Sequence, residues 1–209
     1  MINNFENSSI FARSLFKFDE KKEMLEKIAL DNSIPIITRE VLRYMIFLAE
    51  NIKAKDILEV GTATGFSGIF LAEVCQKNNG KLLTIEIDEE RYLEANKNFK
   101  EFGLDTYIES IHDDALNILP KLNKKFDFIF IDAAKSKYED FFKYSYELIN
   151  DGGIIFIDNL MFRGYVAEKE IPRRYKTMVR NLKDFINNLN DKYNFTLLPF
   201  GDGVGIVIK

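Results

Sequence analysis

Oxygen donors recur where short apolar runs end. Phe130-Ile131-Asp132-Ala133-Ala134-Lys135 closes one such run, and Phe156-Ile157-Asp158-Asn159 closes another. Two carboxylates and an amide oxygen are hard ligands, suited to an octahedral Mg²⁺ that keeps water or substrate oxygens at its other positions. Lys135 lies three residues past Asp132, close enough for its amine to reach a hydroxyl on such an ion. A neighbouring divalent cation disfavours the ammonium form, so this lysine could serve as a general base. Plainer uses exist: Asp132 and Asp158 could cap the helices that follow, and Lys135 could be an exposed lysine at a helix start. Adjacent Asp158-Asn159 at a strand end is harder to read as capping alone.

A second group surrounds Glu59-Val60-Gly61-Thr62-Ala63-Thr64-Gly65-Phe66-Ser67, where an apolar run turns through glycines into a helix. The spacing is G-x-x-x-G. It lacks the middle glycine of G-x-G-x-x-G that admits a pyrophosphate against the backbone, so a cofactor without phosphates is expected. The next run ends in Thr84-Ile85-Glu86-Ile87-Asp88, where a carboxylate can accept hydrogen bonds from both hydroxyls of an adenosine ribose. S-adenosylmethionine (SAM) has that ribose and no phosphate. Asp114, in Asp113-Asp114-Ala115-Leu116, could accept from the adenine amino group. Without a ligand, Gly61 and Gly65 would serve a tight turn, and Glu86 and Asp114 would cap helices. Four such features on successive strand ends favour a shared ligand.

The elements that must position these groups are legible as a change of period. Residues 19–31 place Met24, Leu25, Ile28 and Ala29 on one face at helical spacing, and after the IPIIT segment Val41, Leu42, Met45, Ile46 and Ala49 do the same. These two amphipathic helices form an N-terminal appendage over residues 1–50. From Asp56 onward short apolar runs alternate with longer amphipathic ones: DILEV, a helix from about 66, KLLTIEI, a helix from about 89, TYIESIH, FDFIFID, a helix from about 136, and GGIIFID. Near-continuous apolar strands separated by helices predict a parallel, doubly wound α/β sheet over residues 56–209, covered on both faces. NFTLLPF, the turn GDG and VGIVIK break the alternation and predict a terminal antiparallel hairpin.

Composition bounds the chemistry. In 209 residues there is one cysteine, Cys75, and one histidine, His112, so neither a zinc cluster nor a disulfide framework can form. That usage fits a reducing, cytoplasmic setting. No stretch escapes charge long enough to span a bilayer, and the start MINNFENSSIF lacks a basic-then-apolar signal pattern. No repeat or linker divides the chain, which reads as a single domain.

In order and spacing, EVGTATGFS, TIEID, DDAL, FIDAAKSKY, GGIIFIDN and PFGDGVGIVI resemble the cation-dependent O-methyltransferases of the catechol and caffeoyl-CoA type, from about Ile34 to the C-terminus. The resemblance implies a seven-stranded Rossmann-like SAM methyltransferase fold with a C-terminal hairpin. It implies SAM contacts at Glu59, Gly61, Ser67, Glu86 and Asp114, with Thr62 and Gly65 of the turn, Asp132, and Ile37 of a segment that closes over the cofactor. It further implies metal ligands at Asp132, Asp158 and Asn159, a catalytic role for Lys135, and a homodimer. Two departures bear on the acceptor. Caffeoyl-CoA-type members usually read D-A-D-K where this chain has Asp132-Ala133-Ala134-Lys135, and often carry tryptophan after D-N-x-L. The run from Asp158 to Glu168, followed by Arg173-Arg174, is more similar to bacterial tRNA 5-hydroxyuridine methyltransferases.

A formal net charge of −4 at first argues against nucleic acid. The charge is unevenly placed: residues 163–180 hold six cationic against two acidic side chains, a local +4 that leaves −8 elsewhere. Arg163, Arg173 and Arg174 could meet the phosphates of a tRNA anticodon loop, and Phe162 and Tyr165 could stack on unpaired bases, although a solvated helix face and core packing would use the same residues. Three readings follow. The first is methylation of the 5-hydroxyl of a wobble 5-hydroxyuridine; the second is methylation of a small catechol or hydroxycinnamoyl-CoA-type phenol; the third is SAM binding without catalysis, which Lys135 and the metal trio count against.

Overall fold

The computed structural model describes residues 5–209. Residues 1–4, the start of the expected appendage and of the stretch without a signal pattern, lie outside the described residues. Seven strands form one sheet: β1 (Asp56–Val60), β2 (Lys81–Glu86), β3 (Ile108–His112), β4 (Phe126–Ile131), β5 (Ile149–Ile157), β6 (Asn194–Leu198) and β7 (Val204–Ile208). Their order is β3-β2-β1-β4-β5-β7-β6, parallel except for β7, which runs antiparallel to both β5 and β6. The expected doubly wound sheet with its closing hairpin is therefore the observed one.

Pleating explains why the central strands are apolar throughout. Ile57, Phe128, Phe130, Ile154 and Phe156 enter one core layer, and their neighbours Leu58, Ile129, Ile131, Ile155 and Ile157 enter the other. The first layer is completed by α2 (Glu20–Asp31), α3 (Arg39–Asn51), α4 (Phe66–Lys77) and α5 (Glu89–Glu101), the second by α6 (Ala115–Ile118), α7 (Tyr138–Leu148) and α8 (Lys176–Lys192). Asp19 and Asp88 cap α2 and α5 by accepting from the Lys22 and Arg91 amides, each at 3.0 Å.

The apolar stripe of α3 is buried as expected at Val41, Leu42, Met45, Ile46 and Ala49. That of α2 is narrower than expected: Leu25 and Ala29 are buried, whereas Met24 is 56% and Ile28 43% exposed. Lys22 pairs with Glu73 of α4 at 2.6 Å, Glu26 pairs with Arg39 of α3, and only one edge of the apolar stripe faces inward. An additional helix, α1 (Phe5–Leu15), precedes the two that the spacing predicts. No helix among the described residues is long and apolar enough to cross a membrane.

Candidate functional site

Strand register brings the candidates together. Val60 lies opposite Ile85 on one side and Ile131 on the other, and Ile131 lies opposite Ile157. The residues that follow these four, Gly61, Glu86, Asp132 and Asp158, consequently share one row across the carboxyl edge of the sheet. The chain departs in opposite directions from β1 and β4, the switch point where open α/β sheets bind ligands. A cavity of about 560 Å³ opens there. Its wall includes Ile37, Gly61, Thr62, Ser67, Glu86, Asp114, Asp132, Lys135 and Asn159.

The turn after β1 needs glycine at Gly61, where φ is +99° and a Cβ would collide with the Asp132 carbonyl oxygen. This lets the first and fourth strand ends meet. Glu86 stabilises the same turn: Oε2 accepts from the Ala63 amide at 2.8 Å, and Oε1 accepts from the amides of Ile87 and Asp88, each at 3.0 Å. Glu86 caps no helix, since Asp88 takes that role in α5. Asp114 does cap α6, accepting from the Leu116 amide at 2.9 Å, and it also faces the cavity.

Two expected cofactor contacts lie elsewhere. Glu59 is fully buried beneath the turn and absent from the cavity wall. Its Oε1 accepts from the Ser67 hydroxyl at 2.5 Å and its Oε2 from the Thr84 hydroxyl at 2.7 Å, while the Thr84 oxygen is 2.5 Å from that of Thr62. Burial pushes the Glu59 carboxyl up to about 7, although both hydroxyls favour its charged form. Glu59 can therefore act on the cavity only through Ser67 and Thr62. Gly65, with φ of +82°, backs onto the Phe99 ring and not onto the cavity. Side chains of β1 alternate faces, and Glu59 falls on the face covered by α4.

At the other part of the row, Asp132 and Asp158 lie beside each other on β4 and β5, and neither caps a helix. Lys137 occupies the cap position of α7, and Lys135 stands on the single 3₁₀ turn Lys135–Lys137 before it. Asp158 is 4% exposed; its Oδ1 accepts from the Asn159 amide at 2.7 Å, and its backbone oxygen accepts from the buried Tyr138 hydroxyl at 2.9 Å. The Asn159 side chain reaches Asp132 Oδ1 at 3.3 Å. Burial raises Asp132 above the usual carboxylate range, opposed by the Lys135 charge. Burial first, then the charge of Asp132, pushes Asp158 up to about 8. Such a pair of buried carboxylates is short of positive charge, and with the Asn159 amide it offers the all-oxygen donor set that a hard divalent cation prefers. Among the described residues no three His, Cys, Asp or Glu side chains group as a metal site, so the third donor would be this amide.

The cationic segment stands apart from the cavity. Arg163, Arg173 and Arg174 are exposed and none lines it. Phe162 and Tyr165 are half-buried against each other and Tyr175, with centroids 6.0, 5.2 and 5.5 Å apart. Arg174 lies over the Tyr175 ring at 4.5 Å. Thr84, Tyr138 and Asp202 sit in the quoted TIEID, FIDAAKSKY and PFGDGVGIVI stretches, but nothing local announces their partners.

A sequence model described as O-methyltransferase matches residues 13–209. A caffeoyl-CoA O-methyltransferase of Medicago sativa is 30% identical over 213 aligned residues, covering 95% of this chain and 84% of that one. A catechol O-methyltransferase of Niastella koreensis is 36% identical over 131 residues, covering 61% of this chain and 59% of that one. Among solved structures, the O-methyltransferase TomG of Streptomyces achromogenes, in complex with SAM, superposes with a TM-score of 0.83 at 24% identity over 100% of this chain and 99% of that one. A Bacillus cereus O-methyltransferase in complex with SAH gives 0.83 at 23% identity, covering 100% of both chains. At these identities the superpositions speak for the fold.

Proposed function

The chain belongs to the O-methyltransferase family, and from that premise we propose that this SAM-dependent enzyme, working with a divalent cation such as Mg²⁺, methylates one of two adjacent oxygens on a small phenol of the catechol or hydroxycinnamoyl-CoA class. One observation carries the reading: Lys135, Asp132 and Asn159 share a cavity wall with the Gly61 turn and Glu86, and Asp158 adjoins them. Vicinal oxygens are what such a ligand row can orient. The names of the catechol and caffeoyl-CoA relatives support the phenol.

The chain's own residues have definable tasks. Glu86 would accept from the ribose hydroxyls and Asp114 from the adenine amine, with Ile37 covering the cofactor. Asp132, Asp158 and Asn159 would hold the cation, which when bound would lower the acceptor hydroxyl's pKa and fix its direction. Lys135 would take the hydroxyl proton on Nζ. The oxygen then bonds to the methyl carbon as the carbon–sulfur bond breaks, and S-adenosylhomocysteine leaves.

The cationic run with Arg163, Arg173 and Arg174, which begins four residues past Asn159, favours a second reading, in which the two oxygens belong to a 5-hydroxyuridine in a tRNA anticodon loop. The test is to incubate the protein with SAM and Mg²⁺ against catechol, caffeoyl-CoA and hydroxyuridine-containing tRNA, following the mass gain of one methyl. Methylated phenol supports the first reading and methylated tRNA the second. Excess EDTA should abolish transfer, and an enzyme insensitive to chelation would refute the cation. As parts of the same proposal, the chain is one methyltransferase domain acting in the cytoplasm, and apolar side chains exposed on α1 and α2, among them Phe11, Leu15 and Leu30, favour a homodimer.

A further inference from the structure

We propose that the β6–β7 turn is the support of the acceptor-side loop, and that Asp202 within it is a positioning residue for methyl transfer. The proposal rests on the function above only for the statement that the acceptor meets this loop.

The loop leaves β5 at Asp158 and cannot hold its own shape. Asn159, Phe162, Arg163 and Gly164 have φ of +63°, +44°, +57° and +78°, a left-handed run that three side-chain-bearing residues adopt only where surroundings over-determine it. The hairpin turn supplies those surroundings. The Leu160 amide donates to the Gly203 carbonyl at 2.9 Å, and the Met161 amide donates to the Asp202 carbonyl at 2.8 Å. The Arg163 amide donates to Asp202 Oδ1 at 2.5 Å, and the Gly164 amide faces the same carboxylate. Successive amides of a left-handed turn thus converge on one anion, the geometry of a backbone nest.

Packing joins the two segments as firmly. Gly203 has φ of +82° and a Cβ there would overlap the Met161 side chain; one on Gly205 would overlap Leu160. On its opposite side the turn rests on α3: a Cβ on Gly201 would lie 2.5 Å from Val41 Cγ2, and the Phe200 ring meets Tyr44 edge-on at 5.5 Å. Residues 35–37, immediately before α3, line the cavity, as does Asn159 at the head of the loop. The turn therefore connects the two segments that border the cavity without entering its wall, and it is the place from which the direction of Asn159 and the exit of the loop are fixed. Lys135 and Arg163 attract the Asp202 carboxylate, and the like charge of Asp158 opposes them.

The experiment compares Asp202→Ala, Asp202→Asn and Gly164→Ala in the full chain. Amide hydrogen exchange over residues 159–168 is followed with S-adenosylhomocysteine bound, alongside its affinity by calorimetry and kcat and KM for whichever acceptor the wild type methylates. Asp202→Ala should speed exchange in the loop at least ~10-fold and raise acceptor KM at least ~5-fold, with S-adenosylhomocysteine affinity within about twofold. Asp202→Asn keeps an accepting oxygen and should recover part of both effects. Gly164→Ala adds a methyl in open space at a positive φ, and should raise acceptor KM in the same sense even if Asp202→Ala fails to fold. Unchanged exchange in the Asp202 variants overturns the proposal, as does unchanged acceptor KM in all three. Equal losses of cofactor and acceptor affinity, with no recovery in Asp202→Asn, also overturn it. If the wild type methylates none of the acceptors the functional reading fails, and the exchange data alone still decide whether Asp202 holds the loop.

Discussion

The two sides of the cavity are built by opposite means. On the cofactor side the Gly61 turn lies on a buried network in which Glu59, Ser67, Thr84 and Thr62 satisfy one another, all within the β1–α4–β2 unit and all under 9% exposed. On the acceptor side the chain from Asn159 to Tyr175 is irregular apart from one 3₁₀ turn, strained at the positive φ angles of Asn159, Phe162 and Arg163, and held from outside by a hairpin more than thirty residues later in sequence. A cofactor site made by the sheet itself is stiff and costly to alter, whereas a loop fastened at a few points can change its residues without disturbing the sheet. On this view the fold commits the protein to its methyl donor and leaves the acceptor to the loop.

Replacing the group at the border of the two sides should have the largest effect. Lys135→Ala is expected to cut turnover by about 10²-fold or more while leaving SAM affinity intact, since no cofactor contact is assigned to it; single-turnover rates with calorimetric SAM binding test this, and near-normal turnover would remove Lys135 as the base. The cofactor side can be loosened through Glu59, the fully buried acid beneath the turn. The Glu59 carboxyl titrates at about 7 in the folded protein against 4.5 for an ordinary glutamate, so folding favours its protonated form. Its burial costs nothing below about pH 4.5, and the cost grows as pH rises to about 7, reaching on the order of 3 kcal/mol and staying level above. Urea unfolding at pH 5 and 7.5 should show that slope weakened in Glu59→Gln; an unchanged slope would mean that Glu59 stays charged in its hydroxyl cage. The smallest effect is expected on the loop side with a small acceptor: Arg173→Glu with Arg174→Glu should change phenol methylation less than about twofold, yet weaken any tRNA activity about tenfold or more. Equal losses on both acceptors would make these arginines structural.

Much of this was readable because the signals are local. The central strands of the sheet are short apolar runs buried on both faces, and most chemical candidates lie at or just past the end of one. The scarcity of Cys and His pointed toward oxygen ligands whatever the fold. The misreadings are of side-chain direction. Glu59 stands in the same short segment as Gly61, yet it points beneath the turn; Met24 and Ile28 share the helical spacing of Leu25 and Ala29, yet they face outward. Phe162 and Tyr165, open from the sequence either to base stacking or to core packing, contact each other and Tyr175, ten residues past Tyr165.

By itself the sequence determined the alternation of elements, the donor types at the strand ends and the family to which the chain belongs. Those properties depend on composition and on periods of two and 3.6 residues, which act within one element. The tertiary structure alone decided that β1, β2, β4 and β5 stand side by side in a register that aligns Gly61, Glu86, Asp132 and Asp158, and that Asp202 reaches back to the Arg163 amide. Strand order and register follow from burying two apolar faces at once, a condition on the whole sheet that no single segment carries.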